Sequence, residues 1–120
     1  MLTTALSSPT HPAAIAEAAV VEPDRVAVRF RQGDRWVAWT RREYVRAILR
    51  QARHLRALGL RPGDRVGIVG PTSPGWAVGA LAAQAAGGVI VGLYPTSAPA
   101  QLEQSFRAVS ARIVLVGAVA

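Results

Sequence analysis

Apolar positions along this chain follow two different periods. Val26, Val28 and Phe30 alternate with Ala27, Arg29 and Arg31. Residues 36–40 resume a strand-like pattern, and Gln32-Gly33-Asp34 between them supplies turn residues. The two segments predict a β-hairpin. The period then changes. Tyr44, Val45, Ile48, Leu49, Ala52, Leu55 and Leu58 recur at helical spacing, with Arg42, Arg46, Arg50, Arg53, His54 and Arg56 on the other side. This is one long amphipathic helix. Thr40 caps its start, and Glu43 three residues on completes a capping box. Gly59 ends it, because glycine enters the left-handed conformation at little cost.

Downstream of a turn at 60–64, short apolar runs alternate with helical stretches. Strands are expected at 65–69, 89–93 and 113–116, with helices at 76–86 and 99–110 between them. Alternation of strand and helix specifies parallel pairing with helical crossovers. Apolar residues in succession predict strands covered on both faces. The fold class is therefore α/β: a partial parallel sheet with crossover helices, preceded by a β-hairpin and a long amphipathic helix. Residues 1–12, rich in Ser, Thr and Pro, read as a loose lead-in, and Ala13 to Val21 as a short helix broken by Glu22-Pro23-Asp24. The organisation expected is a lead-in over 1–21 and one domain over 22–120.

Residues 66–102 carry no charge. Gly75, Gly79, Ala83 and Gly87 recur every fourth residue, a spacing that also suits helix packing in lipid. Pro71, Pro74 and Gln84 interrupt the run, and Gly87-Gly88 ends it before ~20 residues are complete. A small-residue helix face packed on a sheet accounts for the same spacing, so no transmembrane segment is expected.

Composition narrows the chemistry. The 120 residues are 51% hydrophobic, which argues for a packed core. Cysteine is absent, which excludes thiolate nucleophiles and Cys-based metal sites. His11 and His54 have no second ligand at metal spacing. The net charge is +7, and all 14 basic residues are Arg. That balance admits an anion-binding patch or a plain solvent-facing surface. Stacking aromatics are not interleaved with the Arg, so no nucleic-acid partner is expected. The first residues lack a basic, apolar leader, and a cytoplasmic location is expected. Gly70 to Gly75 joins a strand to a helix, a geometry that can hold phosphate. It lacks the glycine spacing and Lys of known phosphate loops, and reads as a turn.

Several segments in order resemble a known family. These are Glu22-Pro23-Asp24-Arg25-Val26-Ala27-Val28, Trp39-Thr40 with the helix after it, and Leu58-Gly59-Leu60-Arg61-Pro62-Gly63-Asp64-Arg65-Val66. Trp76 with its small-residue helix, Ala86-Gly87-Gly88-Val89 and Leu93-Tyr94-Pro95 continue the series. Together they resemble the start of the AMP-binding, adenylate-forming enzymes, over residues 20–116. Tyr94-Pro95-Thr96-Ser97 resembles the long-chain fatty-acid–CoA ligase branch, whereas Gly75 and Ala100 depart from the acidic residues common there.

The resemblance implies an ATP-dependent ligase. In that family a carboxylate attacks the α-phosphate of ATP, and a thiol, usually coenzyme A, then displaces AMP. The resemblance also implies Mg2+ and a carboxylic acid substrate, here a fatty acid. It places Pro95 and Thr96 near the thiol-substrate tunnel. The family's Ser/Thr/Gly-rich nucleotide loop and its Lys residues have no counterpart in these residues, so no catalytic or metal-binding residue is assigned. The expectation is an amino-terminal piece, inactive alone and unstable or aggregating without a complementary carboxyl-terminal fragment. A small non-enzymatic α/β binding module and an Arg-rich nucleic-acid binder are the alternatives.

Overall fold

The computed structural model describes residues 10–117. Helix α1 spans His11–Val21, strands β1 and β2 span Val26–Gln32 and Arg35–Thr40, and helix α2 spans Arg41–Ala57. Strand β3 (Arg65–Val69), helix α3 (Pro74–Ala85), strand β4 (Val89–Leu93), helix α4 (Pro99–Ala108) and strand β5 (Ile113–Val116) follow. β1 and β2 form an antiparallel hairpin, and β3 to β5 form a parallel sheet in the order β4-β3-β5. The α/β expectation holds, with strands β3, β4 and β5 at the expected residues.

Thr10 caps α1 by accepting from the Ala13 amide at 3.2 Å, so the helix starts two residues before the expected Ala13. The expected lead-in falls mostly at 1–9, outside the described residues. Glu22 pairs with Arg25 within the turn at 3.0 Å and ties the end of α1 to α2 through Arg41 at 3.2 Å. The Arg25 hydrogen bond and charge hold the Glu22 carboxyl below its ordinary value. A carboxyl shifted that way stabilises the fold at neutral pH, and the contribution fades as pH falls through its folded-state value.

The start of α2 differs from a reciprocal capping box. Thr40 Oγ1 accepts from the Glu43 amide at 3.2 Å and faces Glu43 Oε1, also at 3.2 Å. Glu43 therefore meets the Thr40 hydroxyl. The next two amides, of Arg41 and Arg42, donate to the carbonyls of Arg25 and Pro23. The turn at 22–25 thus supplies acceptors that a side chain would otherwise provide. At the other end the Leu60 amide donates to Leu55 O and the Gly59 amide to Arg56 O, with Gly59 at φ +98°. This is a Schellman closure, and it turns Leu60 back into the core beside Leu55.

The buried face of α2 is Tyr44, Ile48, Ala52 and Leu55. Burial alone raises the Tyr44 hydroxyl above its usual pKa, and Tyr44 packs on Trp39, which meets Phe30 edge-on at 5.2 Å between centroids. Leu49 and Leu58, expected on the apolar stripe, are 45% and 58% exposed. Both sit at the margin of a stripe whose centre is filled by α1, α3 and the hairpin.

Helix α3 lies between α2 and the sheet. Val78, Ala82 and Ala83 join the Tyr44–Leu55 core, and Gly79 lies so near Leu115 that a Cβ would come within 3.1 Å of its Cδ1. Among the described residues no helix is long and apolar enough to cross a membrane. Being covered on two sides explains why α3 carries no charge. The other sheet face meets α4 through Phe106, whose ring occupies the place a Cβ of Gly67 would take. That cover is partial: Val89, Val114 and Val116 on the flanking strands remain 50%, 39% and 75% exposed. Only β3 is buried along nearly its whole length, where both faces were expected to be covered on every strand.

Helix α4 ends at Ala108 rather than Ser110. The Ala111 amide donates to Phe106 O, and Ser110 takes the left-handed turn at φ +52°. A side chain there is strained.

Two outcomes follow for stability measured by urea unfolding in the folded, full-length context. Leu55→Ala removes a fully buried side chain and is expected to cost about 2–5 kcal/mol, whereas Arg46→Ala on the exposed face stays within about 0.5 kcal/mol. Ser110→Gly is expected to raise stability by about 0.5–1 kcal/mol, since it removes the left-handed strain. Equal losses at Leu55 and Arg46, or a destabilising Ser110→Gly, would contradict this packing.

Candidate functional site at the carboxyl edge of the sheet

Parallel strands end together at one edge, and ligands of α/β sheets gather there. In this chain the edge is built by the segments after β3, β4 and β5. The Gly117 amide donates to Val69 O at 2.8 Å, which continues the β3–β5 ladder one step past the strands. A Cβ on Gly70 would stand 3.0 Å from the Gly117 nitrogen and Cα, so a side chain at this crossing requires the Gly117 backbone to give way. Ser73 then opens α3: its Oγ accepts from the Trp76 amide at 3.2 Å. Pro74 lacks an amide proton, so of the first three α3 amides only that of Gly75 is left for a ligand. The segment 70–75 is a capped turn, as the sequence indicates, and does not form a phosphate cradle.

Trp76 organises the edge. Its indole lies against β4, where a Cβ on Gly92 would come within 3.3 Å of the ring. One hollow of about 530 Å³ opens between Trp76, Gln51, Ile68 and the end of β5. A second, of about 440 Å³, opens on the other side, between Pro71, Thr72, Trp76, Gly92, Tyr94 and Pro95. Pro95 therefore lines the second hollow. Thr96 is exposed beside it on a turn closed by the Ser97 amide donating to Tyr94 O at 3.1 Å. Proline suits the second position of such a turn because its φ is already set. Gln101 Oε1 accepts from the Ala98 amide at 3.3 Å and starts α4 where Ala98 has no side-chain acceptor.

Among the described residues no Asp, Glu, Lys, Arg or His lines either hollow. Tyr94 is the one ionisable side chain among the lining residues, and it is 80% exposed. Such a surface suits a neutral, largely apolar group better than a phosphate or a transferred proton. The family resemblance named Pro95 and Thr96, while Gly70 and Gly92 were not singled out, since close approach between strands and a ring leaves no periodic signal.

The family model described as "AMP-binding enzyme" matches residues 15–120. The chain belongs to the AMP-binding enzyme family. Among curated relatives, this family member is 34% identical over 76 residues to the long-chain-fatty-acid–CoA ligase ACSBG1 of Homo sapiens, covering 63% of this chain and 10% of that protein. It is 32% identical over 90 residues to the long-chain-fatty-acid–CoA ligase ACSBG2 of Rattus norvegicus, covering 75% of this chain and 14% of that one. Among solved structures, the N-terminal subdomain of Klebsiella oxytoca NpsA superposes with a TM-score of 0.80 at 28% identity, over 92% of this chain and 28% of that one. The chain thus spans about a tenth to a seventh of the length of its curated relatives.

The Gly70 crossing gives a direct check on the edge. Gly70→Val is expected to lower stability by about 1–3 kcal/mol through overpacking against Gly117. Thr96→Ala, on an exposed turn, is expected to change it by less than about 0.5 kcal/mol. A neutral Gly70→Val in thermal melts would show that the strands do not meet this closely.

Proposed function

We propose that this chain forms the amino-terminal part of an AMP-forming acid–thiol ligase. The ligase activates a carboxylic acid, a fatty acid, to an acyl-adenylate and transfers it to coenzyme A. The observation that carries the reading is the family match over residues 15–120, beside ligases many times longer. The likeness to long-chain-fatty-acid–CoA ligases favours the fatty acid. The domain runs over residues 22–120, and the location is cytoplasmic.

The residues of this chain do not fit ATP and its Mg2+. The edge hollows are lined by uncharged groups, the α3 turn is already capped, and the chain has no Lys. Triphosphate chemistry needs cationic and metal stabilisation of developing charge. That work belongs to a complementary carboxyl-terminal portion of the ligase. By contrast, the second hollow suits the neutral arm of a thiol substrate. Pro95 lines that path, and Thr96 stands exposed beside it, without taking part in bond making.

Two measurements test this. The 120 residues alone should give no carboxylate-dependent exchange of pyrophosphate into ATP, and exchange should appear when a complementary portion of the ligase is supplied. In the complete ligase, Pro95→Arg should raise the KM for the thiol at least about tenfold, as a steric block in a substrate path does. It should slow adenylate formation much less. Exchange by the 120 residues alone, or a thiol KM unmoved by Pro95→Arg, would reject the reading.

A further inference from the structure

Helix α2 presents a second surface that the ligase reading does not use. Arg46, Arg50, Arg53 and Arg56 lie on its outer side, all exposed. Among the described residues none of the four has an ion-pair partner, although Arg25, Arg41, Arg42, Arg107 and Arg112 each have one. Positions 46 and 50 are four apart, and 50, 53 and 56 are three apart, so neighbouring guanidinium groups repel one another along the helix. Arg56 with His54 complements the negative end of the helix dipole. Arg46 and Arg50, in the middle of the helix, have no such compensation.

Leu49 sits in the same strip. It is three residues after Arg46, four before Arg53 and seven before Arg56, and 45% of it is exposed. A leucine surrounded by unpaired guanidinium groups suits one kind of partner well. An anionic lipid surface offers a sheet of phosphates to the cations and an apolar layer just beneath it to the leucine. A nucleic acid would use the charges but has no place for Leu49, and the strip has no aromatic side chain for stacking. We propose that the outer face of α2 docks on an anionic membrane surface through Arg46, Arg50, Arg53 and Arg56, with Leu49 entering the headgroup layer.

This inference is independent of the ligase reading, because its test measures binding and not catalysis. The 120-residue chain is mixed with vesicles and separated by flotation, so that aggregates stay at the bottom. Flotation is expected with vesicles containing about 30% phosphatidylglycerol and not with pure phosphatidylcholine, and it should be lost in about 0.5 M salt. Replacing all four Arg by Gln should weaken binding at least about a hundredfold, at roughly fivefold per charge. Replacing all four by Lys should retain it within about tenfold, since a lipid surface reads charge rather than guanidinium geometry. Leu49→Ser should weaken it several-fold. Circular dichroism of each variant checks that the fold is intact. Equal binding to neutral vesicles, no vesicle binding at all, or an unaffected Gln variant would each overturn the proposal. So would tight, salt-sensitive binding to duplex DNA in the absence of any binding to anionic vesicles.

Discussion

Helix α3 is confined between the parallel sheet on one side and α2 on the other, and most of the fold follows from that confinement. A helix in such a position needs small side chains where it meets the sheet and apolar ones where it meets its neighbour helix. Gly79 against Leu115 meets the first need, and Val78 and Ala82 within the Tyr44–Leu55 core meet the second. The same confinement fixes the carboxyl edge of the sheet. Because α3 starts at Ser73-Pro74, just past the Gly70 crossing, Trp76 has to lie over Gly92 and divide the edge into two hollows.

The two sides of the sheet are unequal. The α3 side carries Val66, Ile90, Ile113 and Leu115 packed into the continuous core. The α4 side rests on the Phe106 ring over Gly67 and leaves Val114 and Val116 partly open. Both outer strands, β4 and β5, pair only with β3 among the described residues. A parallel sheet normally has helices on both faces, and an edge strand with apolar side chains invites further pairing. This asymmetry accords with a chain that matches the far longer ligases over only a small part of their length.

Charge is distributed as unevenly as apolar surface. The uncharged run at 66–102 covers β3, α3, β4 and the start of α4, so its absence of charge reflects burial and the neutral carboxyl edge. The Arg residues lie on α2, the hairpin and the turns, with Arg65 at the start of β3 and Arg107 on α4. Where an acid is near, as at Glu22 and Asp24, the Arg tie α1 and the 22–25 turn to α2. Arg46, Arg50, Arg53 and Arg56, which make no ion pair among the described residues, form the outer strip of α2.

Periodicity in the sequence determined the element order, the boundaries of β3, β4 and β5, the hairpin and the buried face at Tyr44, Ile48, Ala52 and Leu55. Those features depend on repeats of two or of 3.6 residues, which a linear sequence records directly. The turn at 70–75 was legible too, because Pro74 and Ser73 act on their own neighbours. Other features belong to the tertiary structure alone. Leu49 and Leu58 have the right spacing for the core, yet whether a marginal position is covered depends on how wide the opposing surface is. Thr40 and Glu43 match a capping box, yet the carbonyls of Arg25 and Pro23, far outside that local motif, take the Arg41 and Arg42 amides. The site shows the same division. Pro95 was named on the strength of the family resemblance, whereas the close approaches at Gly70 and Gly92 arise where separate segments come within contact distance. A sequence encodes such contacts only jointly, through every element that brings the segments together.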